Sequence, residues 1–497
     1  MSRARPLVSA LAIVTLTGCV VGPKYAPPSA PDGAQAAWTS ADHVLETAGE
    51  PPDDWWRLYN DPMLDGFVRE AFAANLDLAA AQKNLAGARA ILTAARAGRY
   101  PSTVAETAGV YGRDATTDEI LGIVGAKNQT TWLFDDVLDV SYELDLFGRV
   151  RHSIEASKAD AGEAAAARDA VKVTVAAETT RAYAEICDLG EEIAVARQSL
   201  AVVTRQAEIT GRRQDAGNAS EFDLVRAQAL VAQVRATLPP LQGARRSALF
   251  ELAVLVGKTP ALAPSEALTC TAPPRLSGLI PIGDGAGLLR RRPDLREAER
   301  RLAGATARVG VATADLYPRI TLSGFYGGAS ASTSGLTREG GLTWGVGPSI
   351  QWAFPNQAAP RARVRASKAA AGAALDAFDG AVLNALKETE QSLAGYSADL
   401  DRRQALAEAQ ARQHRAFDLA RGQVSAGSIS ALDLLTTEQQ MVAADAAVAA
   451  SNSALVQDQI GLFKALGGGW RGENGSALVS PAATGASAPP SGPPARR

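Results

Sequence analysis

Two stretches of this 497-residue chain perform the same conversion: SYELDLFGRVRHSIEASKADA from Ser141 and SIQWAFPNQAAPRARVRASKAAA from Ser349. Each alternates with the period of a strand, pivots at Phe147-Gly148 or at Phe354-Pro355-Asn356, and then turns Arg- and Ala-rich like a helix. Two further landmarks recur in the same order. NLAGARAILTAARAGRYP (84–101) aligns with RLAGATARVGVATADLYP (301–318), and AGNASEFDL (216–224) aligns with AGSISALDL (426–434). The offset of about 210 residues is too long for a solenoid repeat and marks a duplicated unit. Each unit reads helix, strand pair, very long helix, tight turn, helix.

Tyr100-Pro101 and Tyr317-Pro318 end the leading helices, because the residue before a proline is pushed out of the α region. No proline falls between Arg149 and Gln214, so a helix on the order of 100 Å long is expected there, matched by 361–424 in the second unit. A helix of that length needs neighbours throughout, and the many alanines let them sit close. Gly217 and Gly427 suit the left-handed residue that closes a helix. Ser220 with Asp223, and Ser430 with Asp433, read as capping boxes that start the returning helices. The chain thus predicts two helical hairpins with compact tips.

The strands pose the question of solvent. Leu138, Val140, Tyr142, Leu144 and Leu146 alternate with Asp139, Ser141, Glu143 and Asp145; Leu342, Trp344, Val346, Ile350, Trp352 and Phe354 alternate with Thr343, Gly345, Gly347, Ser349 and Gln351. This is the period and length of a barrel strand in lipid, and also of a soluble antiparallel sheet. The N-terminus favours lipid. Arg3 and Arg5 precede an apolar run from Leu7 to Leu16, followed by Leu-Thr-Gly-Cys, which resembles a bacterial lipobox with Cys19 as the lipidated first residue of the mature chain. With Val20 next to it, that resemblance implies sorting to the outer membrane. No later apolar run reaches the roughly 18 residues of a spanning helix, so any crossing must use strands. Four strands are too few to close a barrel, and an open edge in hydrocarbon leaves backbone groups unsatisfied. Several chains must therefore share the wall.

Other chemistry is sparse. A net charge of −3 gives no basic excess for nucleic acid. His43, His152 and His414 stand singly, no Cys/His spacing fits a metal, and no nucleophile–base constellation marks an enzyme. No cofactor is expected beyond the covalent lipid on Cys19. Cys187 and Cys270 can be paired or free; the sequence leaves both open. The chain divides into a lipoprotein signal (1–18), a lipidated extended tether (19–54), the first repeat (55–257), a connector (258–290), the second repeat (291–467) and a disordered tail (468–497). Within the repeats the strands are expected at about 102–112, 132–147, 318–328 and 342–354, and the tips at 215–220 and 425–430.

WWRLYNDPMLDGFVREAFAANLDLAAA from Trp55, SYELDLFGRVR from Ser141, RRPDLREAERRLAGA from Arg291, ADLYPRITLSG from Ala314 and GPSIQWAF from Gly347 resemble the TolC-type outer-membrane efflux proteins, in the lipoprotein branch called NodT. The resemblance covers about Trp55 to Leu466. It implies an α+β membrane protein: four strands per chain in a 12-stranded barrel shared by a homotrimer, continued by a long periplasmic helical barrel. The implied function is the exit duct of a tripartite efflux pump for small molecules, served by a periplasmic adaptor and an inner-membrane resistance–nodulation–division transporter. Gly217, Asn218, Ser220, Gly427, Ser428 and Ser430 become adaptor-contact candidates, although capping alone explains them as well. Asp139, Glu143 and Asp145 are candidate lumen acids, with an ordinary polar lining as the alternative. Relatives place an acid just beyond the second tip glycine; here Ser428 to Leu432 are uncharged, which leaves Asp418 and Asp433 as gate candidates. The competing functions are the duct of a secretion system driven by an ATP-binding transporter, and a non-conducting lipid-anchored coiled-coil scaffold.

Overall fold

The structure, a computed structural model, describes residues 20–40, 45–46, 49–112, 123, 130–276, 279–336 and 342–470. Cys19, the signal segment and residues 471–497 lie outside the described residues.

The first unit contains α1 (Pro62–Ala74), α2 (Leu76–Ala97), strands β2 (Ser102–Gly112) and β3 (Thr131–Leu144), the long helix α3 (Arg149–Asp215) and the returning helix α4 (Glu221–Leu255). A connector with a short strand, β4 (Ile280–Pro281), and helix α5 (Gly285–Arg291) leads to the second unit. There α6 (Pro293–Ala314), β5 (Arg319–Ser330), β6 (Leu342–Gln351), α7 (Ala358–Ser425) and α8 (Ala431–Ala465) repeat the plan. A two-residue strand, β1 (Leu45–Glu46), pairs in parallel with β4.

β2, β3, β5 and β6 form one antiparallel sheet in that order, so β2 and β6 are its edges. Below it the helices stand in a row four columns wide. α3 packs against α2 and α4 on one side and against α6 and α8 on the other, and α7 covers α6 and α8. The short helices fill a column in pairs, while α3 and α7 each fill one alone. The columns with open flanks are therefore α2 with α4, beneath edge β2, and α7, beneath edge β6.

The core lies midway along the helices. Trp55 is fully buried and stacks on Phe463 with ring centroids 4.8 Å apart, and Leu64, Tyr183, Ile186, Leu252 and Leu393 close around it. Cys187, wholly buried on α3, forms a disulfide with Cys270 of the connector, which resolves the pairing that the sequence left open. Arg292, at the start of the second unit, donates to Ala465 O at 2.9 Å and to Glu388 at 2.8 Å, tying α6 to the end of α8 and to α7.

Two flanking segments depart from expectation. The 20–40 segment is strapped to the body: Val21 N donates to Phe147 O at 3.2 Å, the Trp38 indole to Gly283 O at 3.0 Å, and Thr39 N and Ser40 N to the Glu390 carboxylate at 2.8 and 3.0 Å. Residues 468–470, expected as the start of a disordered tail, are docked. Trp470 donates its indole N–H to Arg291 O at 2.8 Å and carries the Arg296 guanidinium over its ring. In both segments a tryptophan supplies apolar area that a Gly- or Pro-rich context concealed.

Candidate conduit: strand–helix joints and hairpin tips

Register sorts the sheet into two faces, because residues opposite one another in a ladder share a face. Asp139 lies opposite Val104 and Phe325, and Phe325 lies opposite Gly345; the neighbouring rows bring together Ser102, Ser141, Ser323 and Gly347, then Glu143, Thr321 and Ser349. Toward the helix end that face is polar or small-residued, while Val104, Val110, Leu133, Val137 and Phe325 interrupt it further along. On the other, Leu138, Val140, Leu322, Tyr326, Trp344, Val346 and Ile350 are all exposed. An apolar face of this extent on β3, β5 and β6, with Asp136 near its loop end bonded by Thr107, belongs against lipid or a partner rather than water. Aromatic pairs mark its two ends: Tyr111 with Trp132 at the loop end, and Phe147 with Tyr317 and Trp352 with Phe354 at the helix end. Such girdles sit at membrane–water interfaces. Among the described residues no helix is long and apolar enough to cross a membrane.

At the first joint, β3 ends at Leu144 rather than continuing to 147. Asp145 is the reason. Its carboxylate accepts from Val150 N at 3.0 Å and Arg151 N at 2.8 Å, satisfying two of the free N–H groups at the start of α3. Asp145 is therefore a helix cap, which corrects its reading as a lumen acid. Glu143 does lie on the polar face, but Arg149 Nε donates to it at 2.7 Å and Arg319 approaches within 3.9 Å, so its charge is matched. Of the three candidates, only Asp139 stands exposed on that face.

At the second joint, β6 stops at Gln351, three residues short of Phe354. There the Trp352 indole and the Gln357 amide both donate to Leu316 O, at 3.1 and 3.2 Å, which folds the FPN segment back onto the end of α6.

Residues 20–22 fill a slot beside the first joint. His152, buried, reaches Val21 O through Nε2 at 2.9 Å and Glu155 through Nδ1 at 2.8 Å. The slot exists because Gly310 has no side chain: a Cβ there would lie 2.5 Å from the imidazole ring. The segment that immediately follows Cys19 is thereby held at the helix end of the sheet.

The tips are built alike. Gly217 and Gly427 have φ of 69° and 72°, the left-handed region that only glycine enters freely. Ser220 accepts from Asp223 N at 3.1 Å and Ser430 from Asp433 N at 3.2 Å, with each aspartate bonding back to the serine N–H. Both capping boxes thus form with Asp in place of Glu. Asp433 is thereby occupied within its own turn, and Asp418 bonds Arg421 at 3.3 Å, so both gate candidates have local partners. Asn218 and Ser428 complete the turns by donating their N–H groups to Arg213 O and Gln423 O.

Sequence reasoning missed Glu438. It is fully buried on α8, between the apolar residues Leu434 and Met441, and neither carboxylate oxygen has a hydrogen bond. The available signal was its spacing, since i+4 from Leu434 is a core position.

A sheet with a polar face, a lipid-type face and two open edges, continued by helices about 100 Å long, is one wall segment of an outer-membrane channel. The chain belongs to the outer membrane efflux protein family, which matches residues 67–258 and 287–468, one match on each unit. It is similar to nodulation protein T of Rhizobium leguminosarum bv. viciae, at 30% identity over 93% of both chains. The pyoverdine export outer membrane protein OpmQ of Pseudomonas aeruginosa is 31% identical, over 84% of this chain and 88% of that one. Among solved structures, the outer-membrane channel OprN superposes with a TM-score of 0.85 at 33% identity, covering 91% of this chain and 100% of that chain. The protein is an efflux channel of the outer membrane with a periplasmic extension.

Proposed function

We propose that three copies close one conduit, which passes small molecules handed over by a periplasmic adaptor and an inner-membrane resistance–nodulation–division transporter. The observation that carries this reading is the alignment of open surfaces. Edge β2 stands above the flank of α2 and α4, and edge β6 above the flank of α7. The outer columns expose large apolar side chains: Leu76, Ile91, Phe250 and Val254 on α2 and α4, and Leu375, Leu383 and Leu419 on α7. A ring of copies covers strand edges and helix flanks in one step, by a heterologous contact that closes on itself. Three chains bring twelve strands, enough to close, whereas four are not.

Within that ring the polar sheet face lines the lumen and Asp139 recurs once per chain. Gly217, Asn218, Ser220, Gly427, Ser428 and Ser430 present the tips to the adaptor, and a lipid on Cys19 holds the chain at the joint. Small organic cargo is consistent with relatives named for pyoverdine export and antibiotic efflux. Native mass measurement of the detergent-extracted protein tests the ring, with three chains expected; a stable single chain overturns it. Asn218→Cys and Ser428→Cys crosslinking in cells tests the partner. Capture of a pump adaptor is expected, and capture of a secretion-system adaptor overturns the efflux assignment.

A further inference from the structure

Helix α8 turns one stripe toward α3 and α7 just above the second tip. Leu434, Leu435, Glu438, Met441 and Val442 follow the i, i+1, i+4, i+7, i+8 spacing of a buried helical face. Two apolar clusters meet on this stripe, one inside the second hairpin with Val202 of α3 against it and one that joins the two hairpins. Leu434 and Met441 pack with Phe417, Ala420 and Val424 of α7, and Leu435 packs with Val203 of α3 and Leu230 and Val234 of α4. Glu438 sits in the middle of the seam, with no exposed surface and no hydrogen-bond partner for either oxygen.

On the surrounding elements Arg205, Glu208 and Arg212 of α3, Arg235 of α4 and Arg412 and Arg415 of α7 make no bond to Glu438, and burial alone raises its carboxyl; others there have partners of their own. On α7, His414 bonds Asp445 of α8 at 2.6 Å and Arg421 bonds Asp418. On α3, Arg213 donates to Val424 O at 3.4 Å; on α4, Asp223 belongs to its capping box and Arg226 lies over the Phe222 ring. None of them compensates a charge at 438.

We propose that Glu438 is a proton-binding site that locks the second hairpin onto the first: protonated, it lets the seam pack, and its ionisation drives the hairpins apart near the tips. An ionised carboxylate without a partner in an apolar seam is strongly disfavoured, whereas the neutral acid costs far less to bury. Burial alone pushes the Glu438 carboxyl up to about 7 from 4.5. The sign follows from linkage. In the parted state the acid is solvated and ionises near its ordinary value; in the packed state it holds its proton higher. The packed seam is therefore fully stable below about pH 4.5, weakens as pH rises, and reaches its weakest level above about pH 7. In the first unit the offset of about 210 residues places the exposed Gln228 at the equivalent position, so only the second hairpin carries the lock.

The test is a distance. Spin labels at Asn218→Cys and Ser428→Cys of the full-length protein, whose Cys187 and Cys270 are tied up in the disulfide, report the separation of the two tips. Between pH 5 and pH 8 the tip-to-tip distribution should broaden and shift to longer values in the otherwise native chain. Glu438→Gln, which keeps the shape without the charge, should hold the acid-pH distribution at every pH, and so should Glu438→Leu. A native distribution that does not move with pH, or a Glu438→Gln variant that moves like the native one, overturns the proposal. The distance does not depend on transport, so either failure leaves the efflux reading standing.

Discussion

Arg149, the first residue of α3, grips the carboxylate of Glu143, the penultimate residue of β3, with both Nε and Nη2. The strand that faces the conduit and the helix that continues it are thus joined by a two-pronged ion pair on either side of the Gly148 turn. Charge-assisted bonds of this kind contribute about 1.5–3 kcal/mol where water is partly excluded, and Glu143 is 19% exposed here. Arg149→Ala should therefore lower the thermal midpoint of the purified protein. A cycle with Glu143→Gln should show that the two losses are not additive. Additive losses would mean that the pair does not couple strand to helix.

Asp188 offers a second test, in the core. It is 2% exposed, accepts from the Ser453 hydroxyl at 2.9 Å, and leaves its other oxygen unbonded. Burial, reinforced by Glu191 and Glu192, pushes its carboxyl up to about 7. A raised acid of this kind favours the folded state at low pH and withdraws that support as pH rises from about 4 to about 7. Asp188→Asn should stabilise the protein by on the order of 2 kcal/mol at pH 8, and have little effect at pH 4. Thermal unfolding at the two pH values decides it; equal effects at both would remove the carboxylate as the cause.

The slot at the first joint predicts a local, not a global, defect. Gly310→Ala would place a methyl group 2.5 Å from the His152 ring and displace the imidazole that holds Val21 O. The 20–25 segment should then come away while the body stays folded. Limited trypsin digestion should cut after Lys24 several-fold faster than in the native protein, with an unchanged melting temperature. Unaltered cleavage would show that Tyr25, bonded to Glu299, holds the segment without help.

Much of this was legible because it is local. Strand alternation, proline stops, the Gly217 and Gly427 turns and the Ser–Asp caps are all dictated within a few residues, and a duplication writes each of them twice. What stayed hidden depends on distant partners. Asp145 continues the strand's alternation, yet two N–H groups five and six residues on claim it. Glu438 sits at the core spacing of α8, but its charge reads as a surface residue, and only the packed hairpins show that the spacing wins. The strap of residues 20–40 reads as a loose tether, because Trp38 and the two N–H groups on Glu390 find partners hundreds of residues away.

The assignment of sheet faces gives the last prediction. Val346 lies near the middle of β6 on the apolar face, 70% exposed in the single chain, while Ser349 is on the polar face opposite Thr321. An arginine on the lipid side near the bilayer midplane costs about 2–4 kcal/mol, and a symmetric ring pays this once per chain. Val346→Arg should therefore deplete the protein from the outer-membrane fraction. Ser349→Arg, with the same charge and bulk on the same strand, meets water in the conduit and should assemble at near-native levels, altering conductance instead. Immunoblots of fractionated envelopes separate the two. If Ser349→Arg were lost and Val346→Arg retained, the faces would be reversed, and Asp139 would point at lipid, which a carboxylate cannot tolerate unpaired.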